Sequence, residues 1–302
     1  MRLRPNPMVS SGFLRFALAA SYYRGHSWKI LNQTTGIQNL DVPAFRSSPI
    51  PLPSLQEQEE IVGFLENKTA EIDGLVEKLQ REVELLERYK RELIAHTVTK
   101  GLDPEAPMKE SGLQWIGEIP EAWQIQTLKR LIKVSSGMEV MDEVQNGDSA
   151  VPVYGSGSGA FKYTSHNFSD SPAIIFGRKG TLGQPYIVDP PFWAVDTAYV
   201  ATPTEYSDFG FIYYALLNFP WDPYVTKTAK PSLVATEILG AKVAAPEVGE
   251  QRKIAAFLDA KTAEIDGLIT DLDRQIESLG KYRKQVINDV VTGKVRVSEE
   301  AA

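Results

Sequence analysis

The run Gly177-Arg178-Lys179-Gly180-Thr181-Leu182-Gly183 follows the apolar stretch Ala173-Ile174-Ile175-Phe176 and sets two cations between glycines. Such a loop offers backbone N–H groups together with positive charge. That combination suits a phosphate oxygen or a base edge, and an arginine bonded twice to guanine is the commonest specific contact to DNA. The same residues also describe a solvated hairpin turn, and residue types alone leave both readings open. Val153-Tyr154-Gly155-Ser156-Gly157-Ser158-Gly159 is a second loop of this kind, with Lys162 just beyond it. Lys227 and Lys230, beside Thr226 and Thr228, could neutralise phosphates or lie on a solvated surface. The candidate DNA contacts are therefore Tyr154, Gly155, Ser156, Lys162, Arg178, Lys179, Thr181, Lys227 and Lys230. Neither glycine loop has the Gly-x-Gly-x-x-Gly spacing of a dinucleotide site or the pattern of a P-loop.

Other chemistry is sparse. There is no cysteine, which excludes a disulfide framework, a thiolate metal site and a cysteine nucleophile. His26, His96 and His166 stand far apart, in no metal-ligand spacing. No paired carboxylates or nucleophile–base arrangement can be read, so the expectation is no catalytic residue, no metal, no cofactor and no small-molecule substrate. Asp189-Pro190-Pro191-Phe192 resembles the loop with which adenine N6-methyltransferases hold a flipped base. The cofactor-binding glycine motif and doubly wound sheet that should precede such a loop are not found. It reads as a turn between strands, with a small methyltransferase kept as an alternative function.

The net charge of −7 is unevenly spread. Residues 1–56 carry +5, 57–100 carry −4, 110–235 carry −5 and 250–297 carry +1. The strongly basic footprint usual for a DNA-binding domain is missing from the central region, so weak affinity is expected of the chain alone. No apolar run approaches the ~18 residues of a membrane span. With the absence of cysteine, this suggests a cytoplasmic protein and no membrane partner.

Two long elements must position these loops. Glu57–Thr99 and Glu250–Thr292 match at close to half of their positions, including the unbroken Lys68–Leu75 and Lys261–Leu268. Steps of four and three from Ile61 pass Leu65, Lys68, Ile72, Leu75, Leu79, Glu82 and Leu86. The same walk from Ile254 passes Leu258, Lys261, Ile265, Leu268, Leu272, Gln275 and Leu279. A 3-4 apolar rhythm over four heptads predicts a coiled-coil seam. Lys68 and Lys261 then fix helix register or reach sideways to water. Ser54 three residues before Glu57 predicts a capped start, and Lys100-Gly101 followed by Pro104 predicts a stop. Between the helices, short β-rich runs at 173–176, 185–188 and 197–200, separated by Gly, Ser and Pro, and a helical stretch at Phe209–Asn218 predict a mixed α/β domain. Phe13, Ala17 and Leu18 echo Phe211, Ala215 and Leu216, so the chain looks like a duplicated unit without most of its first globular domain.

In this order the motifs resemble the specificity subunit of type I restriction-modification systems. The resemblance is carried by Trp115-Ile116-Gly117-Glu118-Ile119-Pro120-Glu121-Ala122-Trp123, the two glycine loops, Ala194-Val195-Asp196-Thr197 and a Pro-x-x-x-Glu-Gln lead-in to each helix. It implies an α+β fold, with a mixed α/β target recognition domain and two long helices forming an antiparallel coiled coil. The implied domains are 1–56, the end of a first recognition domain; 57–100, a first spacer helix; 101–249, a linker and complete second recognition domain; and 250–297, a second spacer helix. It further implies a non-catalytic role: reading one half of a split DNA site while the helices space the readers and dock two methyltransferase subunits and, through them, restriction subunits. A coiled-coil adaptor that no longer reads DNA is the remaining alternative.

Overall fold

The computed structural model describes residues 5–26, 31–34, 37–147 and 149–297. In chain order the elements are α1 (Ser11–Tyr23), β1 (Leu31–Thr34), β2 (Ile37–Leu40), α2 (Val42–Arg46), α3 (Leu55–Lys100), β3 (Met108–Leu113), β4 (Gly117–Pro120), β5 (Gln124–Thr127), α4 (Leu128–Leu131), β6 (Ile132–Ser136), β7 (Val151–Tyr154), β8 (Lys162–Thr164), β9 (Ala173–Gly177), β10 (Tyr186–Val188), β11 (Trp193–Ala194), β12 (Ala198–Pro203), α5 (Phe209–Leu217), α6 (Ala235–Gly240), β13 (Lys242–Ala245) and α7 (Val248–Val291). The fold is α+β, and the duplicated stretches are the two long helices, 46 and 44 residues each. The chain divides into two compact units, residues 1–86 with 267–302 and residues 87–266, so α3 and α7 each contribute to both.

In the first unit, the start of α3 lies antiparallel to the end of α7. Ile61 and Leu65 share a buried cluster with Ile287, Val290 and Val291. Further along α3 and further back along α7, Asp73 accepts two hydrogen bonds from Arg283. Helix α1 buries Phe13, Phe16, Ala17 and Ala20, the one-face spacing of an amphipathic helix, and the Ser10 hydroxyl caps it by accepting from Phe13 N. The carboxamide of Gln58, fully buried, ties the two elements together. Its oxygen accepts from Ser10 N at 2.8 Å, and its nitrogen donates to the carbonyls of Met8 and Pro53 at 3.0 and 2.9 Å.

The second unit repeats this arrangement. Ile94 and Val98 cluster with Ile254 and Leu258, and Lys90 bonds Asp266 at 2.6 Å, again antiparallel. Asp208 caps α5 by accepting from Phe211 N. Gln251, fully buried, accepts from Asp208 N at 2.8 Å and donates to the carbonyls of Tyr206 and Pro246 at 3.2 and 2.8 Å. After α3, Gly101 adopts φ +79°, the left-handed turn that ends a helix and that a side chain disfavours.

The seam departs from the strict walk near Lys68 and Lys261. The buried positions are Ile61, Leu65, Thr69 and Ile72 in α3, and Ile254, Leu258, Thr262 and Ile265 in α7. After Leu65 and Leu258 the buried stripe advances four residues, as a 3.6-residue turn allows. The lysines fall outside it and bond Glu71 and Glu264. Leu79, Leu86, Leu272 and Leu279 are half-buried, while Leu75 and Leu268 are 42% and 50% exposed.

The sheets lie in the second unit, apart from the β1–β2 hairpin. Four strands order as β10-β9-β12-β6, all antiparallel, and three as β11-β7-β8 with β11 parallel to β7; β13 pairs β5 and β3 pairs β4. Strand β9 is apolar throughout because both of its faces are covered. Ile174 and Phe176 join the cluster containing Tyr199 and Leu233, while Ala173 and Ile175 join that of Val188, Phe192 and Ala198. No helix among the described residues is long and apolar enough to cross a membrane.

Candidate nucleic-acid interface

The loop after β9 is packed from within. A Cβ at Gly177 would collide with the Thr181 carbonyl, and one at Gly183 with the Trp221 ring, so both ends require glycine. The N–H groups of Arg178 and Lys179 donate to the Thr197 carbonyl at 2.8 and 3.1 Å, and that of Gly183 to Gly177 O. These backbone donors, which the glycine-rich sequence offers to a phosphate, are used inside the protein. The turn between β11 and β12 takes the first two, and the loop itself takes the third. Lys179 and Thr181 are exposed, and Arg178 is half-buried.

The second glycine loop lies against the first. Ser156 packs on Gly177 and Gly180, whose hypothetical Cβ atoms would sit 3.1 and 3.2 Å from it. Behind it, Tyr186 donates its hydroxyl to Gly155 O at 2.7 Å and its ring meets Tyr154. Burial pushes the Tyr186 phenol up, so it remains a donor. A third segment joins them, since Leu233 N donates to Arg178 O and Ser232 bridges Lys179. The loop is braced by Thr226 accepting from Ser232 N, and Lys227 and Lys230 project from it, exposed. Phe161, 58% exposed, touches the Gly155 position, and Lys162 Nζ lies 5.7 Å from its ring. The structure thus gathers Ser156, Arg178, Lys179, Thr181 and the segment bearing Lys227 and Lys230, with Tyr154, Gly155 and Lys162 flanking them.

The cations are not all free. Lys179 bonds Asp196 at 3.0 Å and Lys162 bonds Glu143 at 3.5 Å. The Arg178 guanidinium lies 5.4 Å over the Tyr199 ring, which fixes its stem. Any anion approaching these two lysines would have to compete with Asp196 and Glu143.

One cluster was not legible from spacing. Asp142 accepts from the hydroxyls of Thr164 and Ser165 and lies 2.9 Å from His166 Nδ1. The Thr164 hydroxyl first, then Ser165 and His166, holds its carboxyl well below the ordinary range. His166 in turn meets the Trp193 ring edge-on at 6.0 Å. This pins the segment after β6 to strand β8. His26 and His96 are exposed, and no group of three or more His, Asp or Glu among the described residues could hold a metal ion.

Asp189–Phe192 links β10 to β11. Phe192 is fully buried, stacked on Phe168, with its N–H donating to Asn167. A ring so placed belongs to the core and cannot stack on a flipped base, and the loop joins an antiparallel four-stranded sheet to a three-stranded sheet of mixed direction, not strands of one doubly wound sheet.

The family model for the type I restriction modification DNA specificity domain matches residues 11–85 and 120–278. The chain belongs to that family. It is 26% identical over 290 residues to the type I restriction enzyme MjaVIII specificity subunit of Methanocaldococcus jannaschii, covering 87% of this chain and 66% of that protein. It is 24% identical over 153 residues to the EcoKI specificity subunit of Escherichia coli K12, covering 50% and 29%. Among solved structures, a chain from a study of complex assembly and conformational transition of the type I R-M system superposes with a TM-score of 0.75 at 15% identity, covering 95% of this chain and 72% of that one. The HsdS subunit of Thermoanaerobacter tengcongensis gives 0.55 at 15% identity, covering 95% and 71%. This chain therefore spans about two thirds of the length of the MjaVIII subunit.

Proposed function

We propose that this chain is a non-catalytic DNA-specificity subunit of a type I restriction-modification complex. Its recognition domain, residues 101–249, reads one half of a bipartite site, and its paired helices, 57–100 and 250–297, dock methyltransferase subunits that in turn bring restriction subunits. Residues 1–56 are the closing part of a first recognition domain. The observation that carries the reading is the convergence of three loops, 155–159, 177–183 and 226–232, which sets Ser156, Arg178 and Lys179 beside one another in a domain of this family.

An apolar groove between the helices of the first unit supports the docking role. Leu75, Leu79, Leu279 and Tyr282 line it, and Leu75 and Tyr282 are exposed there. Exposed apolar patches on helices mark protein–protein contacts. DNA binding is expected to be weak without partners, because Asp196 and Glu143 already hold two of the cations. A cytoplasmic location follows from the role.

The test is a binding-site selection with and without methyltransferase subunits. Arg178→Ala should relax the preference at one base pair and cost about 1–3 kcal/mol there. Absence of any sequence preference in the assembled complex would refute the reading.

A further inference from the structure

Phe161 is 58% exposed, more than any other phenylalanine, tyrosine or tryptophan among the described residues. A phenyl ring in water forgoes the stabilisation that burial would give it. Its backbone is nonetheless held. Phe161 N donates to Val153 O at 3.2 Å, and the next residue, Lys162, opens β8 in register with Val153. One edge of the ring is seated as well, since a Cβ at Gly155 would lie 3.4 Å from it, where Val195 and the Thr197 hydroxyl also converge. The Gly155 carbonyl in turn accepts from Tyr186 at 2.7 Å. The remainder of the ring faces solvent from a fixed base.

The neighbourhood is cationic. Lys162 Nζ lies 5.7 Å from the ring centroid. Gly155 precedes Ser156, which packs on the loop carrying Arg178 and Lys179, and that loop bridges to the segment from which the exposed Lys227 and Lys230 project. A protein surface that covered the ring would have to neutralise these cations too. DNA meets both needs, with phosphates for the cations and base faces for the ring. An apolar side chain that enters a base stack does so at least cost at a pyrimidine–purine step, the kind most easily unstacked.

We propose that Phe161 is a specificity-determining wedge. It enters the duplex beside the base pair approached by Arg178 and partly unstacks one base step, so that the domain selects a pyrimidine–purine step which no hydrogen bond reads. The proposal rests on the DNA-reading role given above and adds to it a selection by DNA deformability.

The test uses the full chain assembled with methyltransferase subunits. Binding-site selection is run on this complex and on its Phe161→Ala and Phe161→Leu variants. Phe161→Ala should lose a preference of about tenfold for a pyrimidine–purine step at one position, with the other selected positions unchanged. Leucine, itself able to wedge, should retain most of that preference. The fluorescent base 2-aminopurine, which brightens when unstacked, is then placed as the purine of that step. It should be several-fold brighter with the wild-type chain than with Phe161→Ala. Bases extruded by the methyltransferase subunits brighten equally in both complexes and cancel in the comparison. Phe161 is exposed, so the alanine variant should fold, and retained selection at the other positions verifies it. The same motif with wild type and Phe161→Ala, or equal 2-aminopurine brightness, overturns the wedge and leaves DNA reading by the domain standing. No motif with either chain removes both. Loss of the whole motif on Phe161→Ala makes the ring a support of the fold and overturns the proposal. Weaker assembly of that variant with methyltransferase subunits in the absence of DNA overturns it as well, by giving the ring to a protein contact.

Discussion

Arg283 grips Asp73 from the opposite helix, with Nε and Nη2 donating to the two carboxylate oxygens at 2.8 and 3.0 Å. Its counterpart under the sequence repeat is Lys90 with Asp266, at 2.6 Å in the other unit. The register of each helix pair is thus marked by the same charge pairing, once with a planar fork and once with a point charge. Both pairs are half-exposed, so solvent screens them, and a double-mutant cycle at Asp73/Arg283 should give a coupling of about 0.2–1 kcal/mol. Hydrogen bonding to Asp73 raises the Arg283 pKa further, so the coupling should be unchanged between pH 7 and 10 and should shrink in high salt. Chemical denaturation of the four variants measures it.

Gln58 and Gln251 should matter more than any surface ion pair. Each is fully buried and bonds one backbone N–H and two backbone carbonyls. Replacing either with leucine removes the partner of one backbone N–H and two carbonyls, and each of these that water cannot reach costs about 1–3 kcal/mol. Hydrogen exchange should locate the loss in residues 8–13 for Gln58→Leu and in residues 206–211 for Gln251→Leu.

The helices were legible because a duplicated 3-4 rhythm is a local signal, and Phe209–Asn218 and the strand at 173–176 were legible for similar reasons. The repeated Glu57-Gln58 and Glu250-Gln251 were visible as a motif, yet their part in joining a helix start to a cap residue 48 and 43 positions away, respectively, was not. The same holds for Asp142 and His166, 24 residues apart, and for the strand order, in which β12 sits between β9 and β6 by long-range pairing. Glycine-rich loops advertise free donors, but Arg178 and Lys179 spend theirs on Thr197. Residue types cannot show which donors the fold itself consumes.

Asp142 makes the fold sensitive to acid in one place. A carboxylate whose folded pKa is depressed contributes stability above its unfolded value near 4, and that contribution is lost as pH falls towards the folded value. Trp193, which touches His166, should report the native-state protonation as a fluorescence change that sets in only well below pH 4, at the lowered folded value. Asp142→Asn should show the altered emission already at neutral pH and no further change over that acid range.

Lys179 and Asp196 predict a gain from a loss. Removing the acid that holds this lysine, by Asp196→Asn, should strengthen DNA binding by the assembled complex several-fold. Lys227→Gln should weaken binding evenly across sequences and reduce the salt slope by about one. Titrations at several salt concentrations distinguish these outcomes.

The most direct measurement is the DNA motif selected by the chain assembled with methyltransferase subunits, before and after exchanging loops 155–159 and 177–183 for those of another family member. A change of one half-site, with the helix-borne assembly intact, is the predicted result. An unchanged motif, or none at all, would contradict the assignment of sequence reading to this domain.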